Sequence, residues 1–230
     1  MIKFEILRRR SASDPPYTET VSYDRDTDTT VAEALTYINA EILADDPVAW
    51  EHSCRQKKCG ACAMLINGVP KLACDAWLRD YPEGVIRLAP LRKFPPVRDL
   101  MVDRSVMFEN LKKLGAWLTE NADGDTEGTA YDASRCLQCG CCLEVCPNFY
   151  AGGKFSGAAA LAPASRLISE AQGADSKRLY GAYNERFYRG CGKSLSCRNI
   201  CPAGIDTERL LVSSNAAAVW KRLFRRGKKK

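Results

Sequence analysis

The sequence predicts an α+β protein in two parts: a small mixed sheet packed on one helix, then a part built of helices. Apolar residues alternate in IKFEILR at 2–8 and in TETVSY at 18–23, as they do in half-buried strands. A helical pattern and a hairpin signal follow. From Tyr131 onward, cysteine-rich turns alternate with helical patterns. These three observations place the sheet first and the helices second.

The first part is predicted to run strand, strand, helix, hairpin, strand. Thr30 and Glu33 match a capping box, and apolar residues then recur at helical spacing as far as Ile42. Asn67-Gly68 stands between the apolar runs AMLI and VPKLAC, which is a strong hairpin signal. VIRLA at 85–89 is the last strand.

The proline-rich stretch LRKFPPVRDL at 91–100 is predicted to be a linker. It divides the chain into domains at 1–97 and 98–230. In the second domain we expect a helix near 102–119 and an exposed loop at 121–130. Later helices are marked by apolar periodicity at 164–171, 176–188 and 207–224.

Composition predicts a soluble protein with a basic tail. The chain has 230 residues, of which 46% are hydrophobic and 27% charged, with a formal net charge of +6. No apolar run approaches the roughly 20 residues that span a bilayer, and MIKFEILRRR lacks the apolar core of a signal peptide. We therefore expect the chain to stay in the cytoplasm and to reach a membrane only through a partner.

The charge is concentrated in KRLFRRGKKK at 221–230, which holds seven of the 34 basic residues and none of the 28 acidic ones. We expect a solvated tail, with anionic lipid headgroups or an acidic partner as the alternative. Nucleic-acid binding is not expected, because no basic stripe with interleaved aromatic residues occurs elsewhere.

Twelve cysteines fall into three groups. The first group has the spacing C-x4-C-x2-C followed by a distant cysteine, which is typical of plant-type [2Fe–2S] proteins. Gly60 lets the loop fold closely over a cluster, and the Asn67-Gly68 hairpin carries the fourth cysteine back toward the loop. The predicted [2Fe–2S] ligands are Cys54, Cys59, Cys62 and Cys74.

The other two groups form the only internal repeat that we find. CLQCGCCLEVCP at 136–147 has the bacterial ferredoxin spacing C-x2-C-x2-C-x3-C-P, and CGKSLSCRNICP at 191–202 repeats it with Ser194 at the second cysteine position. In such repeats the fourth cysteine ligates the other cluster. This predicts one complete and one incomplete set: [4Fe–4S] on Cys136, Cys139, Cys142 and Cys201, and [3Fe–4S] on Cys146, Cys191 and Cys197.

Alternatives remain at three points. Ser194 could ligate iron through its hydroxyl, which would leave a four-iron cluster. Zinc or disulfides could use paired cysteines, although neither explains the two spacings and the single gap together. Cys141 has no motif position, so we expect a small buried side chain, with an alternative ligand or redox role as the rival.

Other redox groups have little support. His52 is the single histidine, whereas Rieske ligation needs two, so we place His52 in a loop near the first cluster. No P-loop or dinucleotide fingerprint occurs, and the GG of AGGKFSG is a weak signal. Flavin or nicotinamide chemistry would have to reside on another subunit.

Nearly the whole chain resembles the iron–sulfur subunit of succinate dehydrogenase and fumarate reductase. SCRQKKCGACAMLINGVPKLAC, PPVRDLMVD and CLQCGCCLEVCP carry the resemblance, with the second CP-terminated motif after them. It implies a β-grasp plant-type ferredoxin domain followed by an all-α bacterial-type, two-cluster ferredoxin domain. It also implies a FAD flavoprotein partner, and membrane anchor subunits with quinone and possibly haem. The chain would lie peripherally at the cytoplasmic face of the cell membrane.

The quinone-facing positions depart from the ubiquinone-linked pattern. Those members have a tryptophan pair after the first Cys-Pro, where this chain has Asn148, Phe149 and Tyr150, and a histidine where it has Gly192. The resemblance is therefore greater to menaquinone-linked members. The residues nearest to any quinone would be Pro147, Tyr150 and Ser194, with ordinary packing beside a cluster as the alternative.

Three functions are compatible with these sequence patterns. The first is electron transfer between FAD and membrane quinone, with no catalytic residue on this chain. The second is the same subunit in a soluble fumarate reductase or another flavoenzyme without quinone. The third is a metal-stapled interaction module without redox activity, which a colourless zinc protein would reveal.

Overall fold

We analysed a computed structural model that describes residues 1–119 and 128–220. The chain divides into two compact units. One comprises Met1–Arg104 with Cys139–Glu144, and the other comprises Ser105–Gln138 with Val145–Lys230. The mixed sheet lies in the first unit and most helices lie in the second, in agreement with the predicted order of sheet and helices. Within the described ranges, no helix is long and apolar enough to cross a membrane.

The first unit is built on a five-stranded mixed sheet in the order β2-β1-β5-β3-β4. β1 pairs in parallel with β5, with Phe4 opposite Ile86, and the other pairings are antiparallel. All five strands were expected from the sequence. Their bounds are β1 Ile2–Arg8, β2 Tyr17–Tyr23, β3 Ala63–Ile66, β4 Val69–Leu72 and β5 Val85–Ala89.

A single helix, α1 Val31–Tyr37, precedes a π-helical turn at Ile38–Ile42. The predicted capping box is present: Glu33 N donates to Thr30 Oγ1 at 3.3 Å, and Thr30 N donates to Glu33 Oε2 at 2.9 Å. The N–H of Thr30 holds the pKa of Glu33 below its usual value. Leu35 and Ile38 are fully buried, as are the inward-facing side chains of β1 and β5. These side chains form the core of the first unit.

The stretch at 91–100 is a packed segment and not the expected linker. Leu91, Phe94 and Leu100 are each no more than 3% exposed. The chain also forms a short antiparallel pair, β6 Pro96–Arg98 with β7 Met101–Val102. The linker was predicted from the two prolines. The segment is buried because its three apolar side chains pack into the first unit.

Arg8 and Asp99 tie this segment to the sheet. Their side chains are 1% and 2% exposed, and Arg8 Nε donates to Asp99 Oδ1 at 3.0 Å. Asp99 also accepts from the backbone N–H groups of Arg9 and Ala49, at 2.9 and 2.8 Å. Arg8 forms a second ion pair with Glu19 on β2. The buried charge is thus paired and hydrogen-bonded, as burial requires.

The helices begin and end at positions that differ partly from prediction. The expected helix near 102–119 is shorter, because Gly115 leaves the helical region with φ +66°. The expected helix at 164–171 begins earlier, at Ala158, after Gly157 with φ +70°. The helices are α2 Ser105–Leu114, α3 Thr129–Ser134, α4 Cys141–Glu144, α5 Ala158–Glu170, α6 Gly173–Tyr183 and α7 Thr207–Asn215, with π-helical turns at Asn184–Tyr188 and Ala216–Trp220.

The second unit has its own core. Tyr183 is fully buried, stacks on Phe187 with ring centroids 5.2 Å apart, and donates to Asn215 at 2.8 Å. A buried hydroxyl pair, Ser165 and Ser214, joins α5 to α7 at 2.8 Å. Most of the loop predicted at 121–130, the end of the helix predicted at 207–224, and the basic tail lie outside the described residues.

Candidate metal centres

The first cysteine loop directs backbone N–H groups at two sulfur atoms. Cys54 Sγ accepts from the N–H groups of Gln56 and Lys58, and Cys74 Sγ accepts from that of Lys57, each at 3.3 Å. Left-handed backbone at Arg55 (φ +53°) and Lys57 (φ +58°), followed by Gly60 (φ +76°), produces this geometry. Gly60 was expected from the sequence; the other two positions were missed, because arginine and lysine carry no signal for positive φ.

Two sulfur atoms of the first cysteine group lie close together. Cys62 Sγ lies 3.4 Å from Cys74 Sγ. Two thiolates on one tetrahedral metal, with bonds of about 2.3 Å, lie about 3.7 Å apart. The separation of Cys62 and Cys74 therefore suits two thiolates that would share one metal. No disulfide joins any of the twelve cysteines, all of which lie in the described ranges.

The local environment shifts the pKa values of two of these thiols in opposite directions. Hydrogen bonds from the N–H groups of Gln56 and Lys58 lower the pKa of Cys54 to about 7, which favours the thiolate that binds metal. Burial raises the pKa of Cys62 to about 12. A positive metal is the partner that a buried thiolate at Cys62 requires.

The mostly buried side chain of Arg104 hydrogen-bonds the same loop. Its side chain is 12% exposed and donates to the carbonyl oxygens of Gly60, Ala61 and Ala63 at 3.3, 2.9 and 3.2 Å. These three hydrogen bonds hold the segment between Cys59 and Cys62 against the Arg104 side chain. His52, predicted to lie in a loop near the cluster, packs its ring against Trp50 with centroids 4.5 Å apart.

The turn that carries Cys136, Cys139 and Cys142 also uses left-handed backbone, at Gln138 (φ +50°) and Gly140 (φ +89°). A Cβ atom on Gly140 would lie 3.0 Å from the ring of Phe94, so only glycine fits there without displacement. The N–H groups of Leu143 and Glu144 return to the Gly140 carbonyl and begin α4.

Cys141, the cysteine without a motif position, is fully buried, as expected. The neighbouring thiol of Cys141 lowers the pKa of Cys139 to about 7, and Cys139 together with burial raises the pKa of Cys141. Cys141 thus favours the thiolate form of a predicted ligand.

The helical unit contains a pocket of about 440 Å³, a volume that includes its open mouth. The three cysteines predicted to hold the [3Fe–4S] cluster all line it: Cys146, Cys191 and Cys197. Ser194, at the position of the missing fourth cysteine, lines the same pocket. Apolar side chains of α5, α7 and the Asn184–Tyr188 turn complete the wall, including Leu161, Leu211 and Phe187.

One hydroxyl group faces a sulfur of this pocket. Thr207, at the start of α7, is 6% exposed, and its Oγ1 donates to Cys197 Sγ at 3.6 Å. Burial raises the pKa of Cys197, and the nearby thiols of Cys146 and Cys191 add to the rise, whereas the Thr207 bond opposes it. The loop over the pocket contains two left-handed residues, Lys193 and Leu195, at φ +57° and +55°.

The three residues predicted to be nearest to a quinone do not all lie at the same pocket. Of the three, only Ser194 belongs to the described pocket lining. Tyr150 is 66% exposed, and its ring lies against Gly153. At Gly192, a Cβ atom would lie 3.0 Å from the amide of Asn148, whose nitrogen donates to Gly190 O at 2.7 Å. A larger residue at 192 would crowd that amide.

Within the described residues, no three side chains of histidine, cysteine, aspartate or glutamate converge on a position that one metal ion could occupy.

Comparison with known proteins agrees with the two cysteine patterns. Residues 3–109 match the family described as a 2Fe-2S iron-sulfur cluster binding domain, and residues 132–205 match the 4Fe-4S dicluster domain family. The succinate dehydrogenase iron-sulfur subunit of Bacillus subtilis is 36% identical, over 93% of this chain and 91% of that protein. This chain belongs to the family of iron–sulfur subunits of succinate dehydrogenases and fumarate reductases. Members of this family are the electron-carrying subunits of oxidoreductase complexes.

Other similarities extend over comparable lengths. The fumarate reductase iron-sulfur subunit of Mycobacterium tuberculosis is 34% identical, over 84% of each chain. A chain in the structure of the Mycobacterium smegmatis Sdh1 complex in the apo form superposes with a TM-score of 0.77, covering 94% of this chain and 95% of that one. Its sequence identity is 22%, so this likeness concerns the fold.

Proposed function

We propose that this chain relays electrons between a FAD flavoprotein subunit and a membrane quinone through three iron–sulfur clusters. The observation that carries the proposal is the close approach of Cys62 and Cys74, together with the three backbone N–H groups that donate to Cys54 and Cys74. That arrangement stabilises negative charge on thiolates and on a cluster, and single-electron transfer is the chemistry that such clusters supply. The succinate and fumarate chemistry belongs to the flavoprotein partner.

The proposed ligand sets follow the cysteine spacing. Each set serves one cluster in the relay, and together they use eleven of the twelve cysteines. The sets are Cys54, Cys59, Cys62 and Cys74 for [2Fe–2S]; Cys136, Cys139, Cys142 and Cys201 for [4Fe–4S]; and Cys146, Cys191 and Cys197 for [3Fe–4S].

The pocket in the helical unit supports the three-iron assignment. Three thiols and one serine line it, and a cluster with three thiolate ligands lacks the donor that would hold a fourth iron. Ser194 is exposed, and its hydroxyl lies 3.2 Å from that of Ser196. The hydroxyl is therefore engaged with a neighbouring serine, which favours the three-iron form.

The two proposed domains correspond to the two kinds of cysteine motif. Residues 1–97 form a β-grasp plant-type ferredoxin domain, supported by the parallel pairing of β1 with β5 and by α1. Residues 98–230 form the all-α domain for the other two clusters, supported by the match to the dicluster family.

The partners are a FAD flavoprotein and membrane anchor subunits that hold quinone and possibly haem. They would keep the chain peripheral, at the cytoplasmic face of the membrane. The absence of the tryptophan pair, together with glycine at 192, favours menaquinone. Pro147, Tyr150 and Ser194 are the candidate residues near it.

Metal and sulfide analysis of anaerobically purified complex tests the proposal. We expect about nine irons and ten acid-labile sulfides per chain, from the formulae of the three clusters. Oxidised samples should give the paramagnetic signal of [3Fe–4S], and reduced samples that of [2Fe–2S]. Material with zinc and without iron would refute electron transfer.

Co-purification then tests the relay. A flavoprotein and a quinone-containing membrane subunit are expected. Recovery of a flavoprotein alone, from intact membranes solubilised with mild detergent, would contradict the quinone link and support the soluble alternative.

A further inference from the structure

The side chain of Gln138 makes two hydrogen bonds from one nitrogen atom. Nε2 donates to Cys136 Sγ at 3.1 Å and to the carbonyl oxygen of Ala159 at 2.9 Å. A carbonyl oxygen only accepts hydrogen bonds, so the atom that faces it must be the amide nitrogen. The orientation of the amide, and hence the donation to sulfur, is therefore determined by Ala159.

The availability of the Ala159 carbonyl has a cause in the sequence. In a regular helix this oxygen accepts from the N–H four residues later. That residue is Pro163, which lies inside α5 and has no N–H. The proline thus removes the usual helical donor, and Gln138 supplies one in its place.

Two unfavourable features accompany this contact. Gln138 has φ +50°, in the left-handed region of the backbone that residues other than glycine rarely adopt. Its amide oxygen is buried without a hydrogen-bond partner among the described residues. A buried oxygen without a partner destabilises a fold, and such costs concentrate at functional positions.

We propose that Gln138 is a positioning residue that raises the reduction potential of the [4Fe–4S] centre by hydrogen-bonding the Cys136 sulfur. Reduction adds negative charge to the cluster and its thiolates, and a donor directed at a ligand sulfur stabilises that charge. The Ala159 carbonyl, which Pro163 leaves without its helical donor, holds the Gln138 amide in place. This inference rests on the proposed function, because it takes Cys136 to be a ligand of that cluster.

Redox titration of the holo complex, followed by electron paramagnetic resonance, tests the inference. Gln138→Leu removes the donor, and Gln138→Glu keeps the size while replacing the donor with an acceptor. Both variants should shift the [4Fe–4S] potential downward, Gln138→Glu by the larger amount because of its negative charge. The [3Fe–4S] potential serves as the internal control and should move less. An unchanged [4Fe–4S] potential in both variants, at normal iron content, would overturn the inference.

Pro163→Ala tests the role of the Ala159 carbonyl without altering the cysteine turn. The new N–H can donate to Ala159 O and so competes with Gln138. We expect an intermediate downward shift of the same centre, and an unchanged potential would overturn the role of Ala159. If the wild-type complex gave no four-iron signal at all, the proposed ligand assignment would fail first. That outcome is distinct from normal clusters with unshifted potentials.

Discussion

The sulfur atoms of Cys62 and Cys74 lie 3.4 Å apart, although twelve positions separate the two residues in the chain. The β3–β4 hairpin produces this contact, with Ala63 opposite Leu72 at its open end. The N–H of Ala73 then bonds the carbonyl of Cys62 at 3.0 Å, which continues the hairpin contact to the residue before Cys74. The geometry of the hairpin therefore sets the distance between the two thiols.

Removal of the Cys74 thiol should abolish the [2Fe–2S] centre. In Cys74→Ala, the close Cys62–Cys74 pair is lost, so we expect a loss of about two irons and of the corresponding signal in reduced samples. Iron analysis and paramagnetic resonance measure both. Cys141→Ala is the control, because that thiol lies outside the first cysteine group and the [2Fe–2S] signal should remain unchanged. Normal iron content in Cys74→Ala would contradict the assignment.

Replacement of Ser194 by cysteine should convert the three-iron centre. Ser194 lines the pocket with Cys146, Cys191 and Cys197, so the new thiolate would supply the missing ligand. We expect the signal of oxidised [3Fe–4S] to disappear and the iron content to rise by about one. Ser196→Cys is the matched control: its hydroxyl lies 3.2 Å from that of Ser194, but the residue is not part of the pocket lining. Identical spectra for wild type and Ser194→Cys would count against the three-iron assignment.

Loss of the Thr207 hydroxyl should lower the potential of the [3Fe–4S] centre. Thr207→Val keeps the shape of the side chain and removes the hydrogen bond to Cys197 Sγ, so negative charge on the sulfur is less stabilised. A redox titration measures the shift. The control is Thr129→Val, because Thr129 is equally buried and its hydroxyl has no partner among the described residues. Equal potentials in wild type and Thr207→Val would show that the hydroxyl does not tune the centre.

Removal of Asp99 should destabilise the first unit. Asp99→Ala leaves the buried guanidinium of Arg8 without one of its carboxylate partners and two backbone N–H groups without an acceptor. Loss of one partner of a buried ion pair costs about 3–5 kcal/mol. Anaerobic urea unfolding of the holo protein should show the lower midpoint. The comparison is Arg79→Ala, which removes an ion pair to Asp28 whose side chains are 54% and 65% exposed. We expect at most about 1 kcal/mol there, and equal losses in the two variants would refute the role of the buried pair.

Several elements could be predicted because their signals are local. The β1 and β2 strands follow from alternation, α1 from its capping box, and the β3–β4 hairpin from Asn67-Gly68, which adopts φ +48° and +79°. The buried position of Cys141 was also expected. These features depend on residues within a few positions of one another, so sequence patterns report them.

Other features depend on contacts between distant segments. The burial of Leu91 and Phe94 around two prolines was missed, because their close approach to Gly140, far along the chain, is not visible in the linear sequence. The early start of α5 was missed for a similar reason: Pro163 lies six residues inside the helix, and the carbonyl it leaves unpaired is satisfied by Gln138. The left-handed residues Arg55, Lys57 and Gln138 carry no local marker either.

By itself, the sequence determined the number and spacing of the thiols and the serine that interrupts the second repeat. Covalent spacing limits which sulfurs can reach a common centre, so these features are legible in the linear order. Only the tertiary structure decided which donors face each sulfur: backbone N–H groups at Cys54 and Cys74, Gln138 at Cys136 and Thr207 at Cys197. Hydrogen bonds require both distance and direction, and in a folded chain both are set by segments that the spacing of cysteines does not describe.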